Sequence, residues 1–190
     1  MLETLKSIDQ EVFLFLNGLH CSYFDPVMFW GTKTIIWVPL YLAMLYLVVK
    51  NYKWETLLIL LFTILMIIVS DQVSNFFKDW FMRFRPTHEP GMTGIHTVNG
   101  YTGGMYGFYS AHASSNMAIA IFLIMILGDK YRWLFPVVLF YALFMSYTRI
   151  YLGVHYPADI IAGWIAGSLI GFLSAMICLR LVRPRTAKIT

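Results

Sequence analysis

Five stretches of this chain are apolar for long enough to cross the hydrocarbon of a bilayer, about 30 Å thick: residues 28–49, 56–77, about 113–128, about 131–147 and 158–181. Backbone polar groups must be paired within the chain in lipid, so unbroken apolar stretches of this length fold there as helices. Hydrophobic residues make up 59% of the chain and charged ones 13%, where a soluble domain carries roughly a quarter charged. The expected fold is an all-α integral membrane protein, a bundle of five to six transmembrane helices, forming one domain over residues 1–190.

Ahead of the first stretch, Glu3, Lys6, Asp9 and Glu11 precede a short apolar segment, residues 12–16. That segment is too brief to cross, and it lacks the basic start of a cleavable signal. An N-terminal amphipathic helix lying at the interface is expected, with a tilted sixth crossing as the alternative.

Lys50, Lys53, Lys130, Arg132, Arg180, Arg183, Arg185 and Lys188 fall on one side of these spans, which marks it as cytoplasmic. Lys6, Lys33, Lys78, Arg83, Arg85 and Arg149 fall on the other. The expected location is the inner membrane of the cell, multi-pass, with the polar clusters on the extracytoplasmic face. The net charge of +4 thus reflects topology and a site, and nucleic acid is not expected as a partner. The sequence assigns no oligomeric state.

Cys21 and Cys178 belong to opposite ends of the bundle, beyond bridging distance, and read as packing residues. Gly163, Gly167 and Gly171 recur every fourth residue along the last span, a pattern that lets helices approach closely. Residues 86–109 hold Gly91, Gly94, Gly100, Gly103, Gly104 and Gly107. So long an irregular stretch cannot lie in lipid and is expected to cover or line a polar cavity.

Charge is costly where apolar runs end, and three clusters sit there. Lys78 closes the second span and Arg85-Pro86 follows; if the helix continues, the offset of seven residues puts both cations on one face. Two cations facing one chamber suit an anion. Arg83 reads instead as a helical ion pair with Asp79. Asp71, seven residues before Lys78 with Asn75 between, is expected to support the site by hydrogen bonding rather than by catalysis.

Tyr109-Ser110-Ala111-His112 opens the third span. Ser110 at a helix start leaves backbone N–H groups and a positive dipole end facing the loop, a seat for an anion. His112 beside it can exchange a proton with a leaving oxygen. In the third cluster, Thr148-Arg149 is followed by His155 and by Tyr156-Pro157-Ala158-Asp159. Pro157 suits a first helical turn, and Asp159 within that turn can reach back to His155. An imidazole held at one nitrogen by a carboxylate is left basic and directed at the other, which prepares a nucleophile or base. Three cations, a serine, helix-end amides and two histidines suit phosphoryl transfer, in which the protein positions the group and offsets its charge.

From roughly Phe24 to its end, the chain resembles the type 2 phosphatidic acid phosphatase superfamily of lipid phosphate phosphatases. That family's first motif, Lys, six residues, Arg-Pro, is matched by Lys78, Arg85 and Pro86. Its second, Pro-Ser-Gly-His, is matched in part by Tyr109 to His112. Its third, Ser-Arg, five residues, His, three residues, Asp, is matched by Thr148, Arg149, His155 and Asp159. The resemblance implies that His155 attacks phosphorus to form a phosphohistidine and that Asp159 orients it. It implies further that His112 protonates the leaving oxygen and then activates water, while Lys78, Arg85, Ser110 and Arg149 grip the phosphate and Ala111 offers it an N–H. Tyr109 and Ala111 stand where the family has Pro and Gly, and Thr148 keeps the hydroxyl of the family's Ser.

The third span's roughly sixteen residues give about 24 Å of helix, placing its polar start below the headgroup plane. The expected substrate is therefore a lipid phosphate or diphosphate reached from the bilayer: undecaprenyl diphosphate, phosphatidylglycerophosphate or a lipid A phosphate. His88, Glu89, His96, Asn99 and Tyr101 are the loop residues that could read its headgroup. An anion-binding or transporting membrane protein would also put cations at span ends. A vanadate haloperoxidase shares this type of anion pocket, but the spans speak against it. A zinc hydrolase would need a His pair at i, i+4 or spaced cysteines, which the chain lacks; no metal or other cofactor is expected.

Overall fold

The computed structural model describes residues 2–182; the basic residues Arg183, Arg185 and Lys188 lie outside the described residues. The chain forms helices α1 (Leu2–Gly18), α2 (Phe24–Gly31), α3 (Val38–Tyr52), α4 (Thr56–Phe81), α5 (Ala111–Leu127), α6 (Leu134–Tyr151) and α7 (Pro157–Leu181). Among the described residues there is no strand, and Phe84 and Tyr106 form one isolated antiparallel bridge. The protein is an all-helical membrane bundle.

The apolar run 28–49 is not one helix. α2 stops at Gly31, and a 3-10 turn (Thr34–Trp37) precedes α3, which has proline in its first turn. The helix is lost at Lys33, whose backbone is extended; at Gly31 a Cβ would sit 2.8 Å from the Phe144 ring, and its carbonyl accepts from Trp37 Nε1 at 2.7 Å. The stretch Thr34–Phe81, together with α6 and α7, is long and apolar enough to cross a membrane. α5, with 17 residues, reaches only about 26 Å.

α5 is the axle of the bundle. Its Met117, Ala118, Phe122 and Ile126 are buried in one core with Ile59 and Met66 of α4, Val138 of α6 and Ala175 of α7. α7 runs beside it so closely that glycine is required: a Cβ on Gly163 would lie 2.8 Å from the Ser110 carbonyl, and Gly167 and Gly171 meet the backbone of Ser114 and Ala118 in the same way. The every-fourth-residue glycine pattern is a helix-packing device, as expected.

One end of the bundle is closed by Asn51 Nδ2 donating to Tyr131 Oη at 3.1 Å and by Tyr52 Oη donating to the Ile126 carbonyl at 2.6 Å. Lys50, Lys53, Lys130, Arg132 and Arg180 belong to this end. α1 docks at the other end. Phe13 and Asn17 are buried, and Asn17 Nδ2 donates to the carbonyls of Ile150 (3.0 Å) and Tyr151 (2.9 Å). Leu5, Ile8, Val12, Phe15 and Leu19 form an exposed stripe at helical spacing. The amphipathic helix is thus turned with polar anchors inward and its apolar face outward, as suits a helix resting on a bilayer.

Candidate active site

The second end of the bundle gathers the three clusters, each delivered by a chain reversal. α4 ends where Met82 adopts a left-handed φ of 44°. From there the chain runs extended, held by Arg85 N donating to the Met105 carbonyl (3.0 Å) and Gly107 N to the Arg83 carbonyl (2.8 Å). Arg85 therefore does not share a helical face with Lys78; the loop, rather than a continued helix, carries it into the site. Its Nε donates to the Tyr106 carbonyl at 3.0 Å.

The same helix end overturns the expected Arg83–Asp79 pair, because the i, i+4 register is lost at Met82. Arg83 Nη1 donates to Asp159 Oδ1 at 2.9 Å and its Nη2 to Asp9 Oδ2 at 2.6 Å. Burial opposes the charge of this guanidinium, but the two carboxylates outweigh that cost and raise its pKa.

Lys78 stays on α4 and belongs to a hydrogen-bonded file. Its Nζ donates to Asn75 Oδ1 at 3.1 Å, and Asn75 Nδ2 donates to Asp71 Oδ2 at 3.2 Å. Asp71 and Asn75 thus reach Lys78 as their spacing suggests.

Ser110 caps α5, its fully buried Oγ accepting from Ala113 N at 3.4 Å. The N–H groups of Ala111 and His112 open the helix, where no intrahelical carbonyl is available to them. Tyr109, at the position of the family's Pro, is buried with its ring 5.4 Å from that of Phe77, and its carbonyl accepts from Ser74 Oγ at 3.1 Å.

At the end of α6, Gly153 turns the chain with a φ of 77°; a Cβ there would lie 2.9 Å from the His96 carbonyl. The turn leads to His155, 2% exposed. Asp159, in the first turn of α7, sends Oδ2 to His155 Nδ1 at 3.4 Å and accepts from Tyr156 N with the same oxygen at 3.0 Å. Among the described residues His155 Nε2 has no hydrogen-bond partner. Thr148 turns its hydroxyl away, donating to the Met145 carbonyl at 2.7 Å.

The first and third clusters meet at Gly107. A Cβ placed on Gly107 would stand 3.0 Å from Arg85 Cγ, 3.2 Å from Asp159 Oδ2 and 3.5 Å from His155 Nδ1. Burial, together with the charges of Arg85, Arg149 and Lys78, holds His155 neutral, well below the ordinary histidine range. Burial and the nearby Arg149 likewise lower Arg85. His112 lines a cavity of about 180 Å³ with Arg149, Tyr101, Thr32 and Lys33.

Two partners of Arg149 lie outside the motifs. Its Nη1 donates to Thr32 Oγ1 at 2.8 Å and its Nη2 to Tyr101 Oη at 2.9 Å. Tyr101 was among the five loop candidates. Thr32 carries no signal in the sequence beyond its place in a broken apolar run. Of the other loop residues, Glu89 pairs with Lys6 at 2.6 Å and His96 with Asp25 at 2.9 Å, which ties the loop to α1 and α2. His88 Nδ1 contacts its neighbour Thr87, and Asn99 occupies a left-handed turn.

Residues 56–186 match the model of the PAP2 superfamily. A lipid A 4'-phosphatase of Bacteroides thetaiotaomicron is 40% identical over 177 residues, covering 91% of this chain and 78% of that protein. One from Porphyromonas gingivalis is 35% identical, covering 90% of this chain and 72% of that protein. The crystal structure of a transmembrane PAP2-type phosphatidylglycerolphosphate phosphatase from Bacillus subtilis superposes with a TM-score of 0.69, covering 96% of this chain and 90% of that one at 22% identity. A membrane bundle with such a cationic cup and such relatives is a hydrolase of the lipid phosphatase class. The chain belongs to the PAP2 superfamily.

Proposed function

We propose that this protein removes a phosphate from a lipid A-type glycolipid, with His155 as nucleophile, at the extracytoplasmic face of the inner membrane. The observation that carries the reading is the meeting of His155, Asp159 and Arg85 around Gly107, with Arg149 near enough for its charge to act on His155. His155 Nε2 attacks phosphorus while the bond to the lipid oxygen breaks, and His112 gives that oxygen a proton. Water then attacks the phosphohistidine as His112 takes its proton; the P–N bond breaks and phosphate leaves.

The neutral state of His155 favours this order, since only an unprotonated nitrogen can attack. Lys78, Arg85 and Arg149 offset the charge that moves onto the oxygens, and Ser110 with the Ala111 N–H completes the grip. Arg149 Nε is buried with no partner among the described residues, and a phosphate oxygen would satisfy it.

An apolar cleft of about 500 Å³ supports a lipid substrate. It runs between α3, α4 and α5 past Met44, Ile59 and Phe122, and it shares Thr34 with the cavity that holds His112 and Arg149. Acyl chains lying in this cleft would leave the phosphate in the cup. The lipid A assignment rests on the two curated relatives. The outward-facing site rests on the basic residues gathered at the opposite end.

Phosphate release in detergent from lipid A, phosphatidylglycerophosphate and undecaprenyl diphosphate tests the assignment, with His155→Ala as control. Lipid A is expected to turn over fastest, and the variant to release none. Activity is expected to survive EDTA, because side-chain cations do the neutralising. Equal release by wild type and His155→Ala would remove His155 as nucleophile, and no release by the wild type from any of the three lipids would leave anion binding or transport as the better account.

A further inference from the structure

Asp159 is fully buried and divides its two oxygens between different tasks. Oδ2 serves His155 Nδ1 and the Tyr156 N–H, while Oδ1 accepts from Arg83 Nη1. A guanidinium beside a carboxylate ordinarily takes both oxygens in a two-pronged grip. Here it cannot, because the second prong is occupied: Arg83 Nη2 donates to Asp9 Oδ2 on α1. Asp9 is fixed in turn, its Oδ1 accepting from Ala158 N at 2.9 Å in the first turn of α7. The Arg83 guanidinium lies 4.3 Å over the Tyr156 ring, which sets its plane. One arginine is thus shared between two acids from opposite ends of the chain.

We infer that Asp9 and Arg83 are positioning residues for the His155–Asp159 pair, so that α1 is a working part of the active site as well as a rest on the membrane. With Asp9 in place, Arg83 holds Asp159 by one oxygen and leaves the other to orient the imidazole. Without it, the freed prong of Arg83 closes on Oδ2 and draws that oxygen away from His155. A mere tether for α1 needs neither this division of oxygens nor a charge on Asp9. The Lys6–Glu89 ion pair already ties the same helix to the loop.

The inference rests on His155 being the nucleophile, and the test separates the two. Asp9→Asn keeps the size and the acceptor for Ala158 N but loses the charge that occupies Arg83. Steady-state phosphate release should show kcat lowered about tenfold or more, with KM and inhibition by inorganic phosphate within about twofold of wild type. Asp9→Glu should recover most of the loss, and Lys6→Gln, which cuts another tether of α1, should leave kcat unchanged. Wild-type kcat in Asp9→Asn, or an equal loss in Lys6→Gln, overturns the inference. Should Asp9→Asn not accumulate as folded protein, Arg83→Lys decides, since a single ammonium cannot hold two carboxylates in one fork. A tenfold loss is expected there as well, and full activity overturns the inference. The 15N spectrum of histidine-labelled protein, with His155 assigned by its loss in His155→Asn, reads the same geometry without substrate. Wild type should show a single Nδ1–H tautomer and Asp9→Asn a mixture, and identical spectra overturn the inference. If the wild type hydrolyses no lipid in the panel, the proposed function fails while the spectra still judge the positioning.

Discussion

Arg149 Nη1 donates to Thr32 Oγ1 across 2.8 Å, so a guanidinium on α6 is steadied by the break between α2 and the 3-10 turn that leads into α3. Thr32 closes the last turn of α2, its N–H donating to the Met28 carbonyl at 3.2 Å, and the chain becomes extended at Lys33 immediately after it. Thr32→Val removes one neutral–charged hydrogen bond, worth about 1.5 kcal/mol, and KM for the lipid should rise about tenfold with kcat little changed. Steady-state kinetics alongside Tyr101→Phe, which removes the other partner, checks this.

Gly107 is a second point where the cup has no room to spare. In Gly107→Ala the new methyl would press on Arg85 Cγ at 3.0 Å and Asp159 Oδ2 at 3.2 Å. Displacing the acid that orients His155 should lower kcat about tenfold, equivalent to about 1.4 kcal/mol of barrier. Gly91→Ala has open space around it but a φ of 79°; it controls for backbone strain alone and should leave kcat near wild type.

Neutral His155 dictates two responses to acid. Its pKa in the folded protein lies well below 6.5, so kcat/KM should not fall merely because pH drops through about 6.5. Folding stability behaves oppositely. The unfolded chain takes a proton on His155 below about pH 6.5 and the folded chain does not, so stability should decline as pH falls from there. Thermal unfolding at pH 7.5 and 5.5 should show a drop in Tm that shrinks in His155→Gln. An equal drop in both proteins would contradict the burial of a neutral imidazole.

Gly167 lies against the Ser114 backbone. Gly167→Leu should force α7 off α5 and lower stability by about 1–3 kcal/mol, the usual cost of overpacking. Because Ser110 and Asp159 ride on these two helices, activity should fall with it, and parallel measurements of Tm and turnover would show both.

The two ends of the bundle should face different compartments. In a cysteine-free background, Asn99→Cys in the loop should react with an impermeant maleimide in intact spheroplasts, and Lys50→Cys only after permeabilisation. The reverse pattern would place the cup in the cytoplasm.

What could be read ahead of the fold was local in the chain. Asp71, Asn75 and Lys78 lie one turn apart on a helix, so their spacing alone forecasts the hydrogen-bonded file they form. His155 and Asp159, separated by four residues and a proline, forecast their own contact in the same way. Arg83 misleads by the same logic, for its apparent helical partner Asp79 is cut off by the left-handed turn at Met82. Its true partner Asp9 is 74 positions away, and no periodicity reports such a contact. Thr32 carries no sequence signal because apolar content continues across the break, while the backbone leaves the helix at Lys33, one residue further on.

Asp9, Asn17 and Thr32 all precede Thr56, where α4 begins. A polypeptide trimmed to start at that threonine would still display every motif residue from Lys78 to Asp159. It would nonetheless be a mouth without its jaw hinge: the acid would lose its divider, the α6 turn its clasp, and Arg149 its stop. Protein engineers excising the recognisable half of such a chain should expect an inert membrane fragment.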